Sequence, residues 1–151
     1  MDRRKFVKIS AIGSAAVVLE SCQNTNIKTI DSFTNTKPLV VSTWKPGLVA
    51  NKEAWSVLKN NGKSLDAVEN GVRVIESDVN NQSVGIGGLP DRNGIVTLDA
   101  CIMDHKYNCG SVAFLQDIEH PISVARKVME ETPHVMLCGK GAYDFAIEKG
   151  F

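Results

Sequence analysis

The chain has 151 residues with 17 Lys+Arg against 17 Asp+Glu, so its formal net charge is zero and no basic surface for nucleic acid is visible. With 43% apolar and 23% charged residues, the composition is that of a globular protein and excludes a disordered one. One folded domain is the natural count for this length.

Residues 1–21 stand apart from that domain. Arg3 and Arg4 sit in a basic start, and a short apolar stretch follows over residues 9–19, too short to span a bilayer. This pattern reads as a twin-arginine export signal; the competing reading is a basic start on a cytosolic protein. Leu19-Glu20-Ser21-Cys22 resembles a bacterial lipobox, although Glu20 stands where a small residue is usual. The expectation is therefore lipidation at Cys22 and an exported protein, periplasmic or anchored to the membrane as a lipoprotein. Residues 22–37, rich in Asn, Thr and Ser, read as a tether with too little apolar surface to offset the entropy of ordering it. With Cys22 lipidated, Cys101, Cys109 and Cys138 remain, an odd number that cannot all pair. Their spacing, and the scatter of His105, His120 and His134, fits no common zinc pattern, so neither a metal nor another cofactor is expected.

The domain proper is expected over residues 38–151. Residues 38–44 are β-branched and apolar and read as a first strand, broken by Lys45-Pro46-Gly47. Asn51 is a candidate cap for a helix through Asn61, with Trp55 and Leu58 inward and Gly62 as the stop. Ser64 is a candidate cap for a second helix in which Leu65, Val68, Val72 and Ile75 recur at helical spacing. Both helices are expected to lie against a sheet.

Residues 83–104 read as a hairpin around the turn formers Pro90-Asp91-Arg92-Asn93-Gly94. In its first run Val84 and Ile86 share one face, while Ser83, Gly85 and Gly87 share the other, nearly bare face; something must approach that backbone closely, a chain segment or a ligand. In its second run Val96, Leu98, Ala100 and Ile102 form the apolar face, with Thr97, Asp99, Cys101 and Met103 opposite. Asp99 thus falls mid-strand, where a carboxylate needs donors nearby. Residues 110–115 follow as a neighbouring strand. Pro121 suits the first position of a helix to about Glu131, with Ile122, Ala125, Val128 and Met129 inward. A short strand over 134–138 and a helix over 140–149, with Ala142, Phe145 and Ala146 inward, complete an α+β layered fold.

In that order the chain resembles the glycosylasparaginase (aspartylglucosaminidase) family. The residues that carry the resemblance are Val41-Ser42-Thr43-Trp44, Glu53-Ala54-Trp55, residues 64–71 (SLDAVENG), residues 83–91 (SVGIGGLPD), Thr97-Leu98-Asp99-Ala100, Ile102-Met103-Asp104 and Val124-Ala125-Arg126-Lys127-Val128. The Gly-Gly-x-Pro-Asp form over 87–91 is similar to the glycosylasparaginase branch; the isoaspartyl peptidase and plant-type asparaginase branch usually has Asn-Ala-Gly-x-Gly-Ser there.

The resemblance implies an N-terminal nucleophile hydrolase with an αββα sandwich, of which this chain would be a partial, α-subunit-like portion. It also implies cleavage of the amide between N-acetylglucosamine and asparagine. The nucleophile of that chemistry is a threonine freed by self-cleavage, whose own α-amine acts as base. The usual His-Asp-Thr-[Ile/Val]-Gly is absent: Thr25, Thr29, Thr34, Thr36, Thr43, Thr97 and Thr132 each follow a residue other than Asp. The 151 residues are therefore expected to be inactive alone, needing a β-subunit-like segment that carries the threonine.

On the same resemblance Trp44 matches a tryptophan bordering the active site, Ser83 a serine near the catalytic threonine, and Asp99 the acid of the Leu-Asp-Ala segment, while Gly85, Gly87 and Gly88 match backbone-clearance positions. Pro46 departs from the aromatic residue the family often has there. Each site residue has a plainer reading: a core Trp, a turn-ending hydroxyl, and a carboxylate accepting structural hydrogen bonds. Two other functions stay open, an isoaspartyl peptidase or L-asparaginase of the same superfamily, and a non-catalytic exported lipoprotein that serves as a binding module.

Overall fold

The computed structural model describes residues 37–151. The expected export signal, Cys22 and the expected tether up to residue 36 lie outside the described residues.

Residues 38–44 carry no ladder, which corrects the expected first strand. A β-branched run becomes a strand only where a neighbour supplies hydrogen bonds, and none of the described residues pairs with it. Helix α1 (Gly47–Leu58) opens four residues earlier than the expected Asn51. Pro46, at φ −59° and ψ −23°, is already helical and starts the helix itself. Asn51 instead accepts the Ser42 hydroxyl at 2.5 Å. The buried residues of α1 are Gly47 and Ala54, and Trp55 is close to half exposed, contrary to expectation.

A left-handed Asn61 (φ 60°) and the Gly62 N–H, bonded to the Val57 carbonyl at 3.0 Å, close α1 and lead to α2 (Ser64–Glu76). Ser64 is the first helical residue of α2 and Lys63 occupies the cap position. The two helices pack on each other. Leu65 and Val72 of α2 reach the core, whereas Val68 is half exposed.

The expected strand over 83–87 is overturned. Gly85 takes φ +67° and the Gly88 N–H bonds back to its carbonyl at 3.0 Å, making a 3-10 turn over Gly85–Gly87. The turn that follows is where the sequence puts it: the Asp91 carboxylate accepts the N–H groups of Asn93 at 2.7 Å and Ile95 at 3.0 Å.

Strands β1 (Leu98–Met103) and β2 (Cys109–Leu115) form an antiparallel hairpin. Asp104 shapes its turn by accepting the Lys106 and Asn108 N–H groups and the Asn108 side-chain amide, at 2.7 to 2.9 Å. Helix α3 (Pro121–Glu131) has Pro121 in its first turn, as expected. The C-terminal end of α3 is held by the Thr132 hydroxyl, which donates to the Val128 carbonyl at 2.8 Å. Only Leu137–Cys138 of the strand expected over 134–138 forms, as β3, parallel to β2; α4 (Gly139–Glu148) follows.

Among the described residues the sheet has order β1-β2-β3. One face of it carries the core, in which Ile102, Val112 and Leu115 meet Ile122, Ala125 and Val128 of α3 and Ala142 and Ala146 of α4. Fully burying a Val or Leu side chain is worth about 1.5–3 kcal/mol, so this layer accounts for the seating of both helices on the sheet. Arg126 ties α3 to α2: its guanidinium donates to Asp66 at 2.7 Å and Glu69 at 2.6 Å across the interface, and to Glu130 on its own helix at 2.8 Å. The result is an α+β fold with a small mixed sheet.

Candidate functional site

A cavity of about 280 Å³ runs along β1 on the side that carries no neighbouring strand among the described residues. Five consecutive residues, 97–101, line it, and inward and outward side chains alternate along that run. A cavity touching all of them must open along the strand edge. Opposite stand Ser83, Val84 and Gly85, and the remaining wall includes Glu76 and the start of α3.

Ser83 and Asp99 are therefore brought together on one cavity. Trp44 is not part of it. The indole is 56% exposed and lines an adjoining cavity of about 300 Å³, which shares Val72 and Val84 with the first. The plainer reading of Trp44 as a core residue fails on that exposure.

Each of these residues is placed by a local cause. Asn81 accepts the Ser83 N–H at 2.9 Å and so bends the chain into the 3-10 turn. Gly85 lies against the backbone of Glu76 so closely that a Cβ would overlap it, and Gly87 is ringed by the carbonyls of Asp78, Val79 and Asn81 at 2.6 to 2.8 Å from where its Cβ would stand. At Gly85 and Gly87 the neighbour that needs the bare backbone is thus a chain segment. A Cβ on Gly88 would stand 3.1 Å from the Gly85 carbonyl.

Asp99 has a defined partner. The β1–β2 register slips between Leu98, opposite Leu115, and Ala100, opposite Val112, which leaves Ala113 and Phe114 to share one position. Phe114 takes φ +54° at this bulge, and its N–H donates to Asp99 Oδ1 at 2.8 Å. A carboxylate mid-strand supplies the acceptor that the broken ladder withholds.

Sequence reasoning did not single out Glu76 and His120. Glu76 is 2% exposed on the cavity wall, and burial pushes its carboxyl up to about 7, against the opposing Ile122 N–H bond and Arg73 charge. Burial, followed by Arg73, pulls the His120 imidazole below its ordinary value. A signal existed: Glu76 continues the Leu65-Val72 stripe at i+4, which puts an acid on the buried side of an amphipathic helix.

The chain belongs to the asparaginase family of N-terminal nucleophile hydrolases: a family model described as Asparaginase matches residues 31–151. Among curated relatives, it is 56% identical over 151 residues to an N(4)-(Beta-N-acetylglucosaminyl)-L-asparaginase of Elizabethkingia miricola, covering 99% of this chain and 44% of that protein. A Mus musculus protein of the same name is 47% identical over 115 residues, 76% of this chain and 33% of its own length. An isoaspartyl peptidase/L-asparaginase of Mus musculus is 41% identical over 102 residues, 67% of this chain and 31% of that protein. The chain thus spans less than half the length of these relatives.

Proposed function

We propose that this chain is the α-subunit-like portion of a glycosylasparaginase-type amidohydrolase that cleaves the amide between N-acetylglucosamine and asparagine. The observation that carries the reading is the 56% identity, over 99% of the chain, to a protein named as an N(4)-(Beta-N-acetylglucosaminyl)-L-asparaginase. Ser83 and Asp99 on one cavity, with Trp44 on the next, are consistent with one wall of a substrate pocket. The nucleophile is a threonine from a complementary segment, in the same precursor or a separate chain, seated at the free edge of β1. Its hydroxyl attacks the amide carbonyl while its α-amine takes the proton; that proton passes to the amide nitrogen as the C–N bond breaks and the glycosylamine leaves, and water then hydrolyses the ester to release aspartate and free the hydroxyl. Together the two portions complete an αββα sandwich, whose second sheet covers the outer face of β1 and β2.

The cleavage reading is tested by producing the 151-residue chain together with the remainder of the Elizabethkingia miricola relative, which on this reading supplies the threonine. Release of aspartate from N-acetylglucosaminyl-asparagine is the expected result. Release from a β-aspartyl dipeptide alone would move the reading to the isoaspartyl peptidase branch, which the 41% identity to the mouse enzyme of that name supports. No hydrolysis of either substrate by a soluble assembled complex would leave the binding-module reading.

The twin-arginine signal and lipobox-like Leu19-Glu20-Ser21-Cys22 support export, with lipid on Cys22. Labelled palmitate should enter the wild type and not the Cys22→Ala variant. Equal labelling of both would refute the anchor.

A further inference from the structure

Glu76 closes α2 and is almost wholly buried, yet the proposed hydrolysis makes no use of it. Its Oε1 accepts the Ile122 N–H at 3.0 Å, one of the first-turn donors that a helix leaves unpaired. Its Oε2 lies 3.3 Å from His120 Nδ1, and both of these atoms are buried without any other partner. On the far side of the ring His120 Nε2 stands 3.5 Å from Glu119 Oε1, which also accepts the Ser77 hydroxyl at 2.9 Å. The other charged groups that act on the pair are Arg73 and Glu69 of α2.

Counting protons separates the possible states. An ionised Glu76 facing an unprotonated Nδ1 sets two acceptors against each other. An ionised Glu76 with the proton on Nδ1 alone turns the Nε2 lone pair toward the Glu119 carboxylate. An imidazolium beside an ionised Glu76 satisfies the hydrogen bonds but keeps two charges out of water. A neutral acid donating from Oε2 to Nδ1, with Nε2–H directed at Glu119, partners every atom and buries no charge on the pair.

We propose that Glu76 and His120 hold one proton between Oε2 and Nδ1 as a neutral acid–imidazole pair, and that this pair is the latch fastening the start of α3 to the end of α2 along the cavity wall. The latch is independent of the substrate cleaved. Its pH dependence follows from two opposed parts. Glu76 is raised from 4.5 to about 7, so its contribution is full below 4.5 and is lost as pH rises through 7. That part favours opening about tenfold more at pH 8 than at pH 6. His120 is lowered from 6.5, so its contribution is full above 6.5 and is lost as pH falls through the folded value. Over the same interval this part works the other way, by at most about fourfold. In the wild type the His120 part offsets some of the Glu76 part, because folding sheds a proton from the imidazole as the carboxyl takes one up, and a net change of at least about twofold remains.

Hydrogen–deuterium exchange on the full chain tests this, read on a peptide covering residues 119–126 and corrected for the intrinsic chemical rate. In His120→Asn, protection should fall about tenfold from pH 6 to pH 8; in Glu76→Gln, whose amide copies the protonated acid, it should rise up to about fourfold. The wild type should change less than His120→Asn. The same slope in all three proteins would overturn the proposal. Should a variant fail to fold, infrared spectra of the wild type with isotope-labelled glutamate carboxyls decide: a protonated-carboxyl band at about pH 6 that vanishes well above 7 is expected, and its absence at about pH 6 overturns the latch.

Discussion

Asp99 and Gly85 show how much one residue can fix around the candidate site. Asp99 holds the Phe114 N–H at a bulge where Phe114 adopts a left-handed backbone that a bulky side chain rarely takes. Asp99→Ala removes the acceptor and should cost about 1 kcal/mol, because the carboxylate is solvent-exposed and the bond is screened. Asp99→Asn keeps an acceptor oxygen and should cost less. Denaturant midpoints rank the two variants, and an Ala variant as stable as wild type would show that the bulge needs no support. Gly85 has a stricter requirement, since it combines φ +67° with contact against the Glu76 backbone. Gly85→Ala should cost about 1–3 kcal/mol or more, and because the turn carries Ser83 toward the cavity, loss of stability and of cavity shape should come together. A melting temperature unchanged in Gly85→Ala would refute that packing.

Between elements, the contact between α2 and α3 rests on Arg126 more than on helix propensity. Its donors serve carboxylates from both helices, and those hydrogen bonds outweigh the cost of partial burial and hold the guanidinium firmly charged. Arg126→Ala leaves Asp66 and Glu69 near each other unneutralised, and should lower stability by about 1–2 kcal/mol, less in high salt because both acids are partly exposed. Arg126→Lys should recover only part of this, since one ammonium nitrogen cannot reproduce the Nη1 bonds to Asp66 and Glu69 together with the separate Nε bond to Glu130. Denaturant midpoints at low and high salt check both; a salt-independent loss in Arg126→Ala would assign the effect to packing instead.

The Leu65-Val72 stripe, Pro121 and the inward residues of α3 were legible in the sequence because helical periodicity is local. The ladder expected for 38–44 and the strand expected for 83–87 were misread for one reason. β-propensity describes a residue suited to a strand, whereas a ladder needs a partner that a window of sequence does not contain, and a glycine such as Gly85 serves a left-handed backbone as readily as a strand. Ser83 and Asp99 are candidates through the resemblance, and a window of sequence does not show that they share a cavity. Glu76 and His120 were missed because their significance is mutual, across the gap between α2 and α3.

At the scale of the whole molecule, the surface left open around the cavity decides how the chain behaves alone. Met103 and Phe114 are each more than half exposed, Leu39 and Val41 more so, and the outer side of β1 carries no ladder among the described residues. Apolar side chains beside an unpaired strand edge are a template for another chain, and a sheet with one bare face has only intermolecular contacts with which to bury it. The 151-residue chain without residues 1–21 should therefore self-associate at micromolar concentration, giving a light-scattering mass well above the monomer. On the proposed reading, adding the remaining segment of the Elizabethkingia miricola relative should replace those contacts with a defined complex, since that reading has the same surface covered in both cases. Charge substitution at Met103, to Lys, should weaken self-association and assembly together, because the residue stands on the outer face that both would use. A monodisperse monomer by light scattering would show that this face is stable in water, and the complementary-sheet reading would lose its physical basis.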